Sequence, residues 1–82
     1  MARIIWRKAG NEYAGYEDGQ ELPAFVRRTS AYETATHDPS RPYCVAFTAS
    51  GEPTGLDGRY ACFRTLRAAK AEAVRVAASV RQ

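Results

Sequence analysis

The carboxyl-terminal segment LRAAKAEAVRVAASVR is the feature that most constrains the fold. Apolar residues recur in it at spacings of three and four, which predicts a helix over 66–81 with one apolar stripe. The stripe consists of Leu66, Ala69, Ala73, Val76, Ala77 and Val80. Because alanine dominates the stripe, the helix can lie close to the layer that it covers. Thr65 is suited to cap its first turn, since a threonine hydroxyl accepts a hydrogen bond from a free backbone amide there.

Three runs of strand-forming residues precede this helix. They are ARIIWRK, LPAFVRRT and YCVAFTA at residues 2–8, 22–29 and 43–49, and their β-branched and aromatic side chains favour strands. Two weaker runs can extend the sheet. EYAGYE follows a turn at residues 9–11, and GRYACF (58–63) can pair back onto the third run.

Turn and loop signals separate these runs. Asp18 and Gly19 together strongly favour a tight turn. The segments 30–42 and 50–58 contain prolines or glycines and show no period, which is typical of surface loops. Pro23 cannot donate a hydrogen bond to a neighbouring strand, so we expect it at a strand start or on a sheet edge.

Together these elements predict a single α+β domain over residues 1–82. An antiparallel sheet of three or four strands over 2–63 carries one C-terminal helix, over 65–81, packed on one face. Side chains alternate between the two faces of a sheet. The face toward the helix is predicted to hold Ile4, Trp6, Leu22, Ala24, Val26, Val45 and Phe47. The opposite face is predicted to hold Arg3, Ile5, Arg7, Phe25, Arg27 and Thr48.

The net charge of +3 is distributed unevenly along the 82 residues. Residues 1–58 hold six Lys/Arg against eight acids, whereas residues 59–82 hold six against Glu72 alone. Such asymmetry indicates an anionic partner. No apolar run reaches the roughly eighteen residues of a membrane span, and the start MARIIWRKAG lacks the apolar stretch of a signal peptide. We therefore predict a cytoplasmic protein without membrane contact.

Cys44 and Cys62 fall nearly opposite each other if their two runs form a hairpin, which permits a disulfide. A disulfide or redox switch is one interpretation. Two reduced, buried thiols agree better with a cytoplasmic protein and are the prediction. A native protein without free thiols would contradict the cytoplasmic location. Two cysteines and one histidine are too few for a structural zinc site, and no metal or cofactor is predicted.

No group of residues indicates catalysis. His37 and Asp38 lie in a polar loop, and no nucleophile or base can be named as their partner. Glu17, Asp18 and Glu21 cluster at a turn, where a solvated acidic surface explains them better than a metal site. The segments GEPTG and GLDG lack the spacing of phosphate-binding loops. We therefore predict a protein that is not an enzyme.

Tyrosine is abundant for so short a chain, with five residues. Tyrosine is enriched at protein interfaces because it offers rigid amphipathic area. Tyr13, Tyr16 and Tyr32 lie in or beside turns and are candidates for contact with a protein partner, although strands also favour aromatic residues. Tyr43 and Tyr60 are assigned to the sheet itself.

The segment GRYACFRTLRAAKAEA resembles the amino-terminal arm-binding domain of lambda-type tyrosine recombinases. In that domain three strands lead through positions matching Phe63 and Thr65 into an alanine-striped helix. The sheet of that domain enters the DNA groove. The resemblance therefore implies nucleic-acid contact for Arg3, Arg7 and Arg27, with Phe25 beside them.

The chain is also similar, loosely and over most of its length, to small actinobacterial and actinophage accessory proteins of β-β-β-α type. The residues that carry this similarity are Trp6, Gly15, Arg27, Phe63, Thr65, Leu66, Ala69 and Lys70. This resemblance implies a stand-alone domain that acts by binding, with a host protein as its partner.

Two hypotheses on function follow. The first is a non-catalytic binding module of phage or mobile-element character that contacts a host protein. The second is a DNA- or RNA-binding domain that uses basic residues, namely Arg3, Arg7, Arg27, Arg64, Arg67 and Lys70. A homodimer formed through an exposed sheet edge is a further prediction.

Overall fold

The computed structural model describes residues 3–29, 40–54 and 61–80. Within them lie strands β1 (Ile4–Ala9), β2 (Glu12–Glu17), β3 (Gln20–Arg28), β4 (Tyr43–Phe47) and β5 (Ala61–Phe63), followed by helix α1 (Leu66–Val80). The strands form one antiparallel sheet in the order β1-β2-β3-β4-β5. The predicted α+β architecture is confirmed. The sheet has five strands rather than three or four, because EYAGYE and the described end of GRYACF, Ala61–Phe63, also form strands.

A two-residue turn joins β2 to β3. Glu17 pairs with Gln20, and the two residues between them have positive φ, 52° at Asp18 and 80° at Gly19. Positive φ at both central residues is the geometry of a type I′ hairpin, which aspartate and glycine favour. The predicted turn is therefore confirmed.

A proline lies inside β3, beside an irregularity in the pairing of β2 with β3. The register shifts between Ala14 and Tyr16, so that Leu22–Ala24 lie opposite Gly15 alone. Pro23 is at the centre of this segment, on a strand with neighbours on both sides. The prediction of a strand start or a sheet edge was wrong. The Pro23 carbonyl accepts a hydrogen bond of 2.9 Å from the Thr48 amide, so the side on which proline lacks a donor faces residues just beyond the end of β4, where no ladder hydrogen bond is needed.

The core lies between α1 and the middle of the sheet. Helix α1 packs chiefly on β3, with further contacts to β4 and β5. Val26 and Val45 pair directly across the strands, and both are fully buried together with Ala24, Ala69 and Ala73. The predicted alternation of faces is confirmed by these positions.

Helix α1 is capped at its start and exposed at its end. The Thr65 Oγ1 atom accepts a hydrogen bond of 3.2 Å from the Ala68 amide, which confirms the predicted cap. Ala77 is buried, whereas Val80 at the end of the helix is 51% exposed. Val80 therefore extends the predicted apolar stripe one turn beyond the part of the helix that the sheet buries.

Cys44 and Cys62 form a disulfide, with their Cα atoms 4.0 Å apart. The two residues pair directly across β4 and β5, so their side chains leave the sheet on the same side within bonding distance. The prediction of reduced thiols was wrong. Disulfides persist mainly in oxidising compartments, so this bond argues against the predicted cytoplasmic location.

Removal of this disulfide should destabilise the fold. A bridge with a sequence separation of 18 lowers the conformational entropy of the unfolded chain, which stabilises the fold by about 3 kcal/mol. We expect Cys44→Ser/Cys62→Ser to lower the free energy of unfolding in urea by roughly 2–4 kcal/mol. Reductant should have a similar effect on the parent protein and none on the variant. Equal stability with and without reductant would show that the bond is absent in solution.

Candidate functional site

Helix α1 leaves part of the sheet uncovered on its own side. Its main contacts are with β3, β4 and β5, and within the described residues no other element lies over that side of β1 and β2. The space between the helix and these two strands is bordered by aromatic and basic side chains. We call it the basic notch, and it consists of Trp6, Lys8, Tyr13, Arg28, Tyr43 and Lys70.

Trp6 forms the floor of the basic notch beside a glycine. It pairs with Gly15 across β1 and β2. A Cβ atom at residue 15 would lie 3.1 Å from Cζ3 of Trp6 and 2.8 Å from Cδ1 of Leu22. The indole therefore occupies the space that a side chain would need. From α1, the Lys70 ammonium reaches to 5.3 Å from the centre of the Trp6 ring, within cation–π range.

Tyr13 and Tyr43 continue the basic notch across the sheet. The ammonium groups of Lys8 and Lys70 lie 5.8 Å and 5.9 Å from the Tyr13 ring centre. The Tyr13 and Tyr43 rings meet edge to face, with centroids 6.4 Å apart. The Arg28 guanidinium lies 5.9 Å from the Tyr43 ring. Each residue of the cluster thus contacts the next, from Trp6 on β1 to Arg28 on β3.

The charge of the basic notch is positive. Lys8 and Arg28 are exposed at its rim, and Arg67 is exposed one turn before Lys70 on the same side of α1. Three cations therefore lie over the three aromatic rings of the notch, and Arg67 adds a fourth positive charge beside it. Glu17 is the acid on this side of β2, and it pairs with Ile4 at the opposite end of β1 from Lys8.

Glu72 on α1 does not neutralise these cations. Its carboxylate accepts hydrogen bonds from the Arg75 guanidinium, one of them 2.8 Å long. The Arg75 hydrogen bond, followed by the Arg75 charge, holds the pKa of Glu72 below its ordinary value. The predicted pairing of these two residues is confirmed. Glu72 is two residues from Lys70, so it projects from a different side of the helix.

A second cluster lies on the face of the sheet away from α1. Alternation places Arg3, Ile5 and Arg7 in a row along β1, and Ile5 is 57% exposed. Together with Tyr16 and the β2–β3 turn they line a pocket of about 350 Å³, which we call the outer pocket. The Arg7 guanidinium lies 5.3 Å from the Tyr16 ring.

The tyrosines predicted to contact a protein do not form one surface. Tyr13 and Tyr16 are three residues apart on β2 and therefore point to opposite faces. Tyr13 belongs to the basic notch and Tyr16 to the outer pocket. Tyr32 lies outside the described residues.

The predicted basic contacts divide between the two sides of the domain. The three on the outer side of the sheet are Arg3, Arg7 and Arg27. The three at the start of α1 are Arg64, Arg67 and Lys70, of which the first two are exposed and the last belongs to the basic notch.

Four residues of the basic notch were not among the predicted contacts, namely Trp6, Lys8, Arg28 and Tyr43. A signal for two of them existed in the sequence. Lys8 follows the inward-facing Trp6 by two residues, and Arg28 follows the inward-facing Val26 by two. Both were therefore assignable to the helix side of the sheet from alternation alone.

Other candidate chemistry lacks a structural basis in the described ranges. There, no group of three or more His, Cys, Asp or Glu side chains is arranged to hold a metal ion. His37 and Asp38 lie outside these ranges. No helix found in them combines the length and apolarity needed to cross a bilayer.

Comparison with protein-family models, curated proteins and solved structures finds no match for this chain. The two family resemblances therefore stay predictions, and function has to be inferred from the surfaces themselves.

The packing of the Trp6 ring against Gly15 can be tested by substitution of that glycine. Gly15→Ala should lower the free energy of unfolding by about 1–3 kcal/mol, because the new methyl group enters occupied space. It should also alter the emission of Trp6, the one tryptophan of the sequence. Urea unfolding followed by fluorescence measures both effects. Ala9→Ser at an exposed site is the control, with a change within about 0.5 kcal/mol. Unchanged stability and emission in Gly15→Ala would show that the ring lies elsewhere.

Proposed function

We propose that this protein is a non-catalytic module that binds single-stranded nucleic acid through the basic notch. The observation that carries this proposal is the unbroken series of contacts in which Lys8, Lys70 and Arg28 lie over tryptophan and tyrosine rings. Proteins that bind single strands combine such cations, which follow the phosphates, with aromatic rings on which bases stack.

The geometry suits a flexible single strand better than a duplex. The cations are already held near the aromatic rings, so little side-chain freedom is lost when phosphates replace water around them. Bases can reach aromatic rings only when they are unstacked, as in single strands, loops and bulges. A plot of log affinity against log salt concentration should have a slope of about −3 for about four phosphate contacts. Each contact on a single strand contributes about −0.7 to that slope.

Two double variants of equal charge distinguish the basic notch from the rest of the surface. Lys8→Gln/Lys70→Gln should weaken binding of a labelled oligothymidylate or mixed RNA at least tenfold and reduce the salt slope by about 1.4. Arg3→Gln/Arg7→Gln removes the same charge from the outer pocket and should change affinity less than threefold. Fluorescence anisotropy at several salt concentrations measures both quantities. Equal losses in the two variants, or no binding by the parent protein at low salt, would contradict the proposal.

Contact with a host protein is the second function that we propose. The outer pocket favours it, because Ile5, which is 57% exposed, and Tyr16 line the same concave surface, and tyrosine is enriched at protein interfaces. A role as a phage or mobile-element accessory protein belongs to this proposal and rests on sequence resemblance. Residence in the cytoplasm stays a prediction that the disulfide opposes, and a count of free thiols in the native protein tests it.

A nuclease-treated pull-down from the natural host tests this second function. The parent protein should recover a specific partner that Ile5→Asp fails to recover. Lys70→Gln, which alters the basic notch, should recover it as the parent does. Recovery that is the same for all three proteins, or no specific recovery at all, would count against a protein contact at the outer pocket.

A further inference from the structure

Strand β1 is an edge of the sheet, since it pairs with β2 alone in the described part of the chain. The backbone groups on its free side have no strand partner there. Residues 3–9, RIIWRKA, contain three cations and no acid. Cations on an edge strand discourage pairing with a second cationic strand, and the same charges attract an acidic one.

We infer that the free edge of β1 binds an extended, acidic segment of a protein partner by strand addition. The inference rests on the proposed protein contact and is independent of nucleic-acid binding in the basic notch. In this mode of recognition, hydrogen bonds between backbones supply affinity and alternate side chains supply specificity.

The side chains of β1 define the sequence of the partner strand. Arg3, Ile5 and Arg7 follow one another on the outer face at intervals of about 7 Å, twice the rise per residue of a strand. Cross-strand neighbours are the pairs that stabilise a sheet. A partner strand should therefore present an acid, an apolar residue and an acid at alternate positions. The outer pocket, with its exposed Ile5, receives the apolar one.

A second copy of this chain is a poor occupant of the same edge. An antiparallel pair of β1 strands centred on Ile5 would place Arg3 opposite Arg7 twice. Like charges directly opposite each other destabilise a sheet. Every other register also brings together two copies of segment 3–9, each with three cations and no acid.

A synthetic peptide tests the inference on the whole protein. The capped peptide GEETVTEG places glutamates opposite Lys8, Arg7 and Arg3 and valine opposite Ile5 in an antiparallel register. Titration into ¹⁵N-labelled protein should give saturable shifts along β1 and slower hydrogen exchange at alternate β1 amides. The isomer GVEEETTG, with the same composition but without the alternation, should bind at least tenfold more weakly.

Two variants assign the binding to the edge strand. Arg3→Gln/Arg7→Gln should weaken binding of the peptide GEETVTEG at least tenfold, whereas Lys70→Gln should change the affinity for this peptide less than twofold. The far-ultraviolet circular dichroism of each variant confirms that it is folded. The inference is overturned by the absence of saturable shifts, by equal binding of the two peptides, or by binding that leaves β1 amides unprotected. A dimer in solution that protects β1 would make a second copy the occupant and overturn it as well.

The same variants separate strand addition from protein contact in general. If the peptide fails to bind while Ile5→Asp still abolishes capture of the host protein, strand addition is wrong and the protein contact stands. If neither effect is seen, both proposals are wrong.

Discussion

The close packing of alanine against the centre of the sheet is the contact on which the rest of this structure depends. Ala69 and Ala73 are fully buried against Val26 and Val45. A methyl group holds two layers closer together than a leucine side chain would, so the helix lies low over β3 and β4. That height allows the Lys70 ammonium to reach the ring of a residue on β1. Larger residues on the stripe would lift the helix and open this contact.

A single helix cannot cover five strands. The helix with its side chains is about 10–12 Å across, whereas the axes of the outermost strands of a five-stranded sheet are about 19 Å apart. The helix-side surface of β1 and β2 is therefore left to large side chains. Trp6 lies against Gly15 on these two strands. Tyr13 of β2 extends the apolar layer, and its ring meets that of Tyr43 on β4. Cations at the open side of these rings keep the surface soluble and make it attractive to anions.

The features that depend on residues close together in the sequence were predicted correctly. The cap at Thr65, the β2–β3 turn and the alternating faces depend on near neighbours, and all three are confirmed. Pro23 was interpreted wrongly because its placement depends on register between strands. Cys44 was placed correctly opposite Cys62, but its redox state was inferred from an assumed compartment, which local sequence does not determine. The basic notch was predicted only in part, through Tyr13 and Lys70, since its composition depends on which strands the helix leaves uncovered. Which strands stay uncovered depends on how the helix packs on the whole sheet, and the sequence of one segment does not determine it.

Nuclear Overhauser effects between α1 and the two sides of its contact test this account most directly. The account predicts cross-peaks from the Ala69 and Ala73 methyl groups to those of Val26 and Val45. It also predicts cross-peaks from the Lys70 methylenes to the Trp6 indole, with ring-current shifts of the Lys70 protons to high field. Lys70 protons at random-coil positions, without contacts to Trp6, would contradict it, because the helix would then not reach the strands that carry the proposed site.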